Sequence, residues 1–239
     1  MAQRESRIHP SAQFRDDVAR KKTALPAARR RISRQRMHQH ANAGCSGGIA
    51  VLSAQAGDDA ILTRMRRNYD TGYYRGLLAR ARERLPEAAL GTDIIVGFPG
   101  ESDCQFESSL EYFASLPLTY FHVFPYSTRR GTLAASLTEQ VAGHVKKTRA
   151  RRMRELGVQK KRAFCSSFLG RWLAVLVEEK MNTKTGARHG FTRNYLPVNV
   201  RLGGELCNEE VVVELTGFDD DSLTGTPVAH KSNRLLATA

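Results

Sequence analysis

The most constraining feature of this 239-residue sequence is a buried strand that runs directly into a glycine turn, between Thr92 and Glu101. Residues 93–96 read D-I-I-V, and such a continuous apolar run is typical of a parallel strand covered on both faces. A G-F-P-G turn follows at 97–100, and Ser102 and Gln105 then have the spacing of a helix capping box. Because sheets of this kind bind ligands beyond the carboxyl ends of their strands, the turn is a candidate binding edge. The alternative is a tight strand-to-helix turn without a ligand.

Helices and strands alternate on both sides of this motif. Asp58 is positioned to cap one helix and Thr71 to cap a second, which Pro86 ends. The apolar residues of the second helix recur every four positions at Tyr73, Leu77, Ala81 and Leu85. A helix after Ser102 and a strand over 120–124 continue the alternation, which predicts βα units around a parallel sheet. A short run ending at Ser53 is predicted to be one further strand.

The pattern changes to alternation after Gly170. Apolar residues occupy every second position at Leu173, Val175, Val177, Leu196, Val198, Val200, Val211, Val213 and Leu215, with turn residues at 185–186, 203–204 and 219–221. Four or five short strands in about sixty residues predict a small β barrel or sandwich. The predicted organisation is therefore a basic, poorly structured segment over 1–50, an α/β part over 51–168, a β part over 169–230 and a tail over 231–239.

Positive charge is concentrated in two segments of a chain with net charge +13. Residues 1–50 contain eleven Lys or Arg against three Asp or Glu, with a weak helix signal over 14–28. A helix predicted from Thr138 to Phe168 carries nine Lys or Arg and one Glu between His144 and Phe164. Such charge favours a polyanionic partner, nucleic acid before an anionic membrane, although a solvated helix face is the alternative.

Neither a membrane-spanning segment nor a leader is predicted, since no run approaches 18 apolar residues and the first residues lack an apolar core. The expected location is the cytoplasm. The four cysteines at positions 45, 104, 165 and 207 form no C-x-x-C or C-x-x-x-C pair. We expect them to be reduced, separately packed thiols.

Four segments stand in a fixed order along the chain. They read Q-A-G-D-D from Gln55, M-R-R-N-Y from Met65, T-D-I-I-V-G-F-P-G-E from Thr92 and Y-S-T-R-R-G-T from Tyr126. In this order and near these spacings they resemble motifs of the radical-SAM tRNA methylthiotransferases, over roughly residues 55–227. The wording H-V-F-P-Y-S from His122 is most similar to the branch that acts on threonylcarbamoyladenosine beside the tRNA anticodon.

The resemblance implies a fold, cofactors and a partner. The fold would be the last part of a radical-SAM (β/α) barrel followed by an OB-like TRAM domain that binds tRNA. The cofactors would be S-adenosylmethionine and 4Fe-4S clusters. The residues implied at the S-adenosylmethionine pocket are Gln55, Arg66, Gly97, Phe98, Pro99, Gly100, Glu101, Val123 and Phe124. Arg66 cannot be separated from Arg67 by sequence, and Ala56 replaces a serine of the family motif.

The resemblance also implies residues on the RNA side. Near the substrate these are Tyr126, Arg129 and Arg130, and along the basic helix Lys146, Lys147 and Arg151. In the β part the candidates are Arg171, Trp172, Arg188, Phe191, Arg193, Asn194 and Tyr195. For Trp172, packing in the core is the alternative.

The sequence departs from the family at its iron–sulfur ligands. Clusters are held by cysteine thiolates, and neither the C-x-x-x-C-x-x-C loop nor three further clustered cysteines occurs here. The first half of the barrel is also missing from the likeness, which stops just before Gln55. Four explanations are open: a fragment of a split or disrupted gene, a frame error over about the first fifty residues, assembly with a second chain that carries the cysteines, or a degenerate tRNA-binding remnant.

Two functional hypotheses follow. In the first, the chain is part of a tRNA methylthiotransferase and is catalytically incompetent by itself. In the second, it is a non-catalytic RNA-binding protein, as the net charge, the basic helix and the carboxyl-terminal β part suggest. A helix-turn-helix DNA-binding protein is a distant third, since the residues fit none of those patterns.

Overall fold

The computed structural model describes residues 48–181, 183, 185–201 and 208–228. The predictions made for the basic segment before Gly48, for Cys45 and Cys207, for the 203–204 turn and for the tail lie outside these ranges. Within them the chain has a parallel sheet covered by helices and a small closed β barrel. A mixed α/β fold with a parallel sheet and a small β part, as predicted, is therefore confirmed.

The parallel sheet has three strands in the order β1-β2-β3. The strands are β1 (Ile49–Val51), β2 (Ala89–Val96) and β3 (Tyr120–Pro125). The connecting helices are α1 (Asp59–Arg64), α2 (Thr71–Arg84) and α3 (Asp103–Ser115), followed by a short α4 (Leu133–Ser136) and a long α5 (Gly143–Ser166). Both strand pairs are parallel, with Ile94 opposite Val123 and Asp93 opposite His122.

One face of this sheet is covered by helices and forms the first core. Ile94 and Val96 of β2 pack there with Phe106 and Phe113 of α3 and with Met153 of α5. Ser102 caps α3, and the reciprocal bonds of a capping box join it to Gln105. The predicted strand over 93–96 and the capping box are therefore confirmed.

Three local predictions, two about α2 and one about α5, are wrong. Asp70, not Thr71, caps α2, because its carboxylate accepts from the amide of Tyr73. The buried face of α2 is rotated by one residue: Tyr74 is buried whereas Tyr73 is largely exposed. The third error concerns α5, which begins at Gly143 rather than at residue 138.

The rotation of α2 has a polar cause. The hydroxyl of Tyr74 donates to the carbonyl of Leu52 at 2.6 Å and lies 3.0 Å from the Thr92 hydroxyl inside the core. The spacing of apolar residues in the sequence carries no information about such a hydrogen bond. The two hydrogen bonds of the Tyr74 hydroxyl therefore place Tyr74, rather than Tyr73, on the core side of this helix.

The β part is a closed five-stranded barrel in the order β4-β5-β6-β8-β7. Its strands are β4 (Trp172–Met181), β5 (Arg188–Thr192), β6 (Pro197–Val200), β7 (Glu210–Asp219) and β8 (Ser222–Pro227). The β7 strand pairs with β4 and closes the barrel, and β6 and β8 are the parallel pair. The alternating apolar residues, such as Val175, Val198 and Leu215, fill its interior as predicted.

The long helix α5 connects the two cores. Ala150 and Met153 belong to the core beneath the sheet, whereas Cys165 lies in the core of the barrel together with Phe168 just beyond the helix. The loop before β2 adds a second connection: the Asn194 side-chain amide donates to the carbonyl of Glu87 at 2.9 Å. No helix within the described ranges is long and apolar enough to cross a membrane.

Candidate functional site

The glycine turn after β2 is held from inside by a buried ion pair. The Glu101 carboxylate accepts from the amide of Gly97 at 2.6 Å and from the Arg149 guanidinium at 2.7 Å. Arg149 also donates to the carbonyl of Glu101 at 2.9 Å and to Asp103 at 2.6 Å. Burial raises the pKa of Glu101, while the Gly97 amide and Arg149 act in the opposite direction. Glu101 therefore fixes the shape of the turn.

The outer side of the same turn is covered by the protein's own side chains. Gly97 and Gly100 both have positive φ, at 70° and 83°, which favours glycine. A Cβ at Gly97 would collide with the aliphatic stem of Lys146, and one at Gly100 with the guanidinium of Arg64. Arg64 is paired there with Glu139, whose carbonyl accepts from the Gly100 amide at 2.8 Å. The space left by these two glycines is therefore filled by Lys146 and Arg64, at the places where a ligand would approach the backbone.

The face of the sheet opposite the helices is accessible and carries both polar and apolar side chains, among them the exposed Ile49 and Val51 of β1. Gln55, at the end of the segment that extends β1, forms a bridge with Ile94 and adopts φ 66°. Its side chain donates to Ser53 and accepts from Arg67 at 3.0 Å. Of the two arginines that the sequence could not separate, Arg67 contacts Gln55, whereas Arg66 is exposed with φ 55°.

Val123 and Phe124 lie on opposite sides of β3, because successive residues of a strand alternate in direction. Val123 is buried in the helix-covered core. Phe124 is 53% exposed on the accessible face, in register with Ile95. Of these two predicted residues, only the side chain of Phe124 faces the same surface as Gln55. Pro99 stays within the glycine turn.

The residues predicted near the substrate follow β3. The Tyr126 ring packs edge-on against Phe98 with centroids 5.3 Å apart, and Lys146 lies 5.7 Å from its centre. Its hydroxyl is buried and makes no hydrogen bond within the described part of the chain. Arg129 and Arg130 lie exposed in the loop that follows. The structure therefore brings Tyr126 to the glycine turn and leaves the two arginines at the surface.

The basic helix α5 uses many of its charges internally. Arg152 pairs with Glu107, Arg154 donates to the carbonyl of Val123 at 3.1 Å, and Lys160 donates to that of Leu116 at 2.6 Å. Burial lowers the pKa of Lys160. Of the predicted RNA-binding residues on this helix, Lys146 covers Gly97, Lys147 is exposed, and Arg151 is exposed and paired with Glu155 at 3.3 Å. Contacts within the protein thus explain much of the charge that suggested a phosphate surface.

The outer surface of the barrel carries a row of aromatic rings. His189 and Phe191 stand edge to face at 4.9 Å, and Phe191 lies 5.4 Å from Tyr195. Tyr195 is 52% exposed, and Arg193 beside it is paired with Glu210 at 3.4 Å. This row combines one exposed ring, two half-buried rings and an ion-paired arginine, and aromatic rings beside cationic groups are the elements that bind single-stranded nucleic acid.

Other residues predicted for the barrel lie elsewhere. Trp172 is 64% exposed and therefore does not pack in the core. Arg171 pairs with Glu87 at 2.5 Å and covers the Phe168 ring at 4.9 Å. Asn194 is buried by its contact with Glu87, and Arg188 donates to the Glu179 carbonyl at 3.0 Å. Arg171 and Asn194 thus join the barrel to the α/β part.

The described cysteines do not suit an iron–sulfur cluster. Cys104 is exposed on α3, and Cys165 is buried in the barrel core, where burial raises the pKa of its thiol. Within the described ranges no group of His, Cys, Asp or Glu could hold a metal ion. The requirement for several converging thiolates is therefore not met by these residues.

Fold and surface together define an α/β protein with an accessible sheet face of polar and apolar side chains, joined to a small barrel with exposed aromatic rings. No family model matches the sequence. Curated relatives do: a tRNA-2-methylthio-N(6)-dimethylallyladenosine synthase of Bacillus pumilus is 34% identical over 177 residues, covering 74% of this chain and 35% of the relative.

Enzymes named for a second substrate match equally well. A threonylcarbamoyladenosine tRNA methylthiotransferase of Bacillus subtilis is 34% identical over 166 residues, which cover 69% of this chain and 37% of the relative. The corresponding protein of Aquifex aeolicus is 35% identical over 147 residues, covering 62% of this chain and 34% of its own. Over the matched residues the chain belongs to the family of tRNA methylthiotransferases, and it spans about a third of the length of these relatives.

Proposed function

We propose that this chain supplies an adenosine-facing sheet and a tRNA-binding barrel to a radical-SAM methylthiotransferase. The modified nucleoside would be N6-threonylcarbamoyladenosine beside the anticodon. The observation that carries the proposal is the 34% identity over 177 residues to tRNA methylthiotransferases. Identity does not distinguish the two nucleosides, because it is 34% to a relative of each kind. The choice of nucleoside therefore depends on the H-V-F-P-Y-S segment from His122.

We propose further that the chain by itself does not catalyse methylthiolation. The cluster ligands would come from outside these 239 residues, for example from a second polypeptide, because the four cysteines of this sequence lack the spacing of a cluster loop. S-adenosylmethionine, when bound, would supply the radical that the family's chemistry requires. Gln55 and Phe124, on the accessible sheet face, would contact it, whereas the Gly97 and Gly100 turn is filled by Lys146 and Arg64.

The barrel would act as a TRAM-type, OB-like module. Exposed rings offer a stacking surface that accepts any base, and cationic side chains contact phosphates. Trp172, Phe191, Arg193 and Tyr195 are the residues that support this role.

Iron and sulfide analysis after anaerobic reconstitution of the purified chain tests the proposal, in parallel with a tRNA-binding assay. We expect tRNA binding with substoichiometric iron and sulfide. Stoichiometric iron and sulfide would contradict the claim that the ligands come from elsewhere. Loss of tRNA binding in a folded preparation would contradict the assignment of the barrel.

A non-catalytic RNA-binding protein is the second candidate function. It is favoured by the separation of Cys104 and Cys165 and by the aromatic row of the barrel. Mixing the chain with a cluster-bearing methylthiotransferase half distinguishes the two candidates. Formation of a complex that modifies tRNA supports the enzyme part, whereas RNA binding without complex formation supports the second candidate.

A further inference from the structure

The accessible face of the parallel sheet carries a continuous chain of polar side chains. Because residues 94 and 96 of β2 enter the core, Asp93 and its neighbours of the same parity face the other way. Ser53 donates to Asp93 at 3.2 Å, and Gln55 donates to Ser53. Arg67 donates to Gln55, so that four residues from three segments form one hydrogen-bonded chain.

His122 is the end of this chain. Its Nδ1 lies 3.2 Å from the Asp93 carboxylate, directly across the β2–β3 register. Since an ionised carboxylate can only accept, Nδ1 carries the proton and donates. Nε2 makes no hydrogen bond to any residue that the structure describes, and the side chain is 52% exposed. The imidazole is therefore held in one orientation and presents a free nitrogen to the accessible face.

Aromatic rings flank this imidazole on the same strand. The Tyr120 ring lies 5.3 Å from that of His122, above the space left by Gly91. Burial and the charge of Asp93 raise the pKa of Tyr120, so its phenol stays protonated. Phe124 is exposed on the other side. Tyr120 thus offers a ring for a planar base beside polar groups for a substituent, while Phe124 faces the part of the surface proposed above for S-adenosylmethionine.

The two kinds of relative are named for nucleosides that differ at one position, the substituent on N6 of adenosine. A dimethylallyl group is apolar and cannot hydrogen-bond. A threonylcarbamoyl group carries N–H, carbonyl, hydroxyl and carboxylate groups. A site built to hydrogen-bond a substrate rejects an analogue that leaves its polar groups unpaired, more strongly than an apolar pocket rejects a polar isostere.

We propose that His122, oriented by Asp93, is a specificity-determining residue that selects a polar N6 substituent over an apolar one in the tRNA adenosine. The Nε2 atom accepts from a hydroxyl or N–H of the substituent, and Arg67 at the other end of the chain offers a cation for its carboxylate. This inference rests on the proposed tRNA substrate. It adds roles for His122 and Asp93, which the resemblance assigned neither to the S-adenosylmethionine pocket nor to the RNA side.

The test measures the affinity of the full chain for three anticodon stem-loop RNAs that differ only at one adenosine. They carry threonylcarbamoyladenosine, dimethylallyladenosine or plain adenosine. The variants are His122→Leu and Asp93→Asn, and the matched control is His144→Gln, since His144 is exposed in the first turn of α5. Each affinity is divided by that for plain adenosine, so that a general loss of folding or RNA binding cancels.

We expect the wild-type chain and the control to prefer threonylcarbamoyladenosine over dimethylallyladenosine at least about tenfold. His122→Leu should remove or reverse this preference, and Asp93→Asn should reduce it. A preference that survives His122→Leu would overturn the inference while leaving the proposed function intact. Equal preference in the wild type would overturn the inference and the choice of nucleoside, while tRNA binding itself would still support the assignment of the barrel. Failure of all three RNAs to bind the folded wild type would instead contradict the proposed function, and the inference with it.

Discussion

Removing Arg149 tests how the glycine turn is held. Its side chain and that of Glu101 are 6% and 3% exposed, and they share a 2.7 Å ion pair. Removing one partner of a buried pair costs about 3–5 kcal/mol, because the other charge stays buried without compensation. Glu101 keeps the Gly97 amide as a donor. We therefore expect Arg149→Met to lower the free energy of unfolding by about 3 kcal/mol, at the lower end of that range.

Arg151 supplies the matched control for this substitution. It lies two residues further along α5 and pairs with Glu155, but both side chains are more than half exposed. Exposed pairs contribute about 0–1 kcal/mol, so Arg151→Met should change stability little. Urea unfolding followed by circular dichroism measures both variants. Equal midpoints for the two methionine variants would refute the reasoning that burial decides the cost.

The pH dependence gives a second readout of the same pair. The Glu101 pKa is raised by burial and lowered by Gly97 and Arg149, so loss of Arg149 raises it further. A carboxyl group whose pKa is higher in the folded than in the unfolded protein loses stability as pH rises through that interval. Arg149→Met should therefore be more destabilised relative to wild type at pH 8 than at pH 5. A deficit that is equal at both pH values, or larger at pH 5, would contradict this.

Three further perturbations follow from particular contacts. Gly91→Ala places a methyl group 2.5 Å from Cε2 of Tyr120 and should lower the free energy of unfolding in urea by about 1–3 kcal/mol. Gly217→Ala is the control, because its nearest contact is at 3.4 Å, and equal effects of the two substitutions would refute the steric argument. Asn194→Ala removes the bond to Glu87 and should cost about 1–2 kcal/mol by the same measurement, whereas an unchanged midpoint would deny this contact a role. Tyr195→Ala should change the free energy of unfolding by less than about 0.5 kcal/mol, because the ring is exposed. It should weaken tRNA binding, measured by filter binding, by about 1–3 kcal/mol, and an unchanged affinity would exclude stacking on that ring.

The strands and several helix ends could be predicted because each depends on a short-range pattern. The apolar run over 93–96 lies in the central strand, and Ser102 and Gln105 form the predicted capping box. The alternating valines of the β part fill the barrel. In these cases the residues that determine the element are neighbours in the sequence, so spacing alone is informative.

The face of α2 and the role of α5 could not be predicted in this way. Tyr74 is buried because its hydroxyl meets Leu52 and Thr92, which are distant in sequence. The charges of α5 suggested a phosphate surface, but Arg149 is buried against Glu101 of the turn that follows β2. Contacts of this kind depend on tertiary packing, which neither periodicity nor net charge encodes.

The polar chain on the sheet was missed for the same reason. The sequence pattern puts Asp93 in an apolar strand and His122 in a motif, and neither pattern indicates that the two side chains meet. Strand alternation was the available signal, since Asp93 and Ile95 must face away from Ile94 and Val96. The pairing of Asp93 with His122 required the register of β2 against β3, which the sequence does not reveal.

The affinity of the full chain for tRNA as a function of salt tests the central claim most directly. If the barrel and its neighbouring cationic groups contact phosphates, each contact releases counterions, and log affinity must fall linearly as log salt rises. We predict a steep negative slope that becomes shallower by about one unit when one phosphate-contacting residue, such as Arg193, is replaced. An affinity that does not change with salt would contradict the assignment of this chain to the tRNA-binding part of a methylthiotransferase.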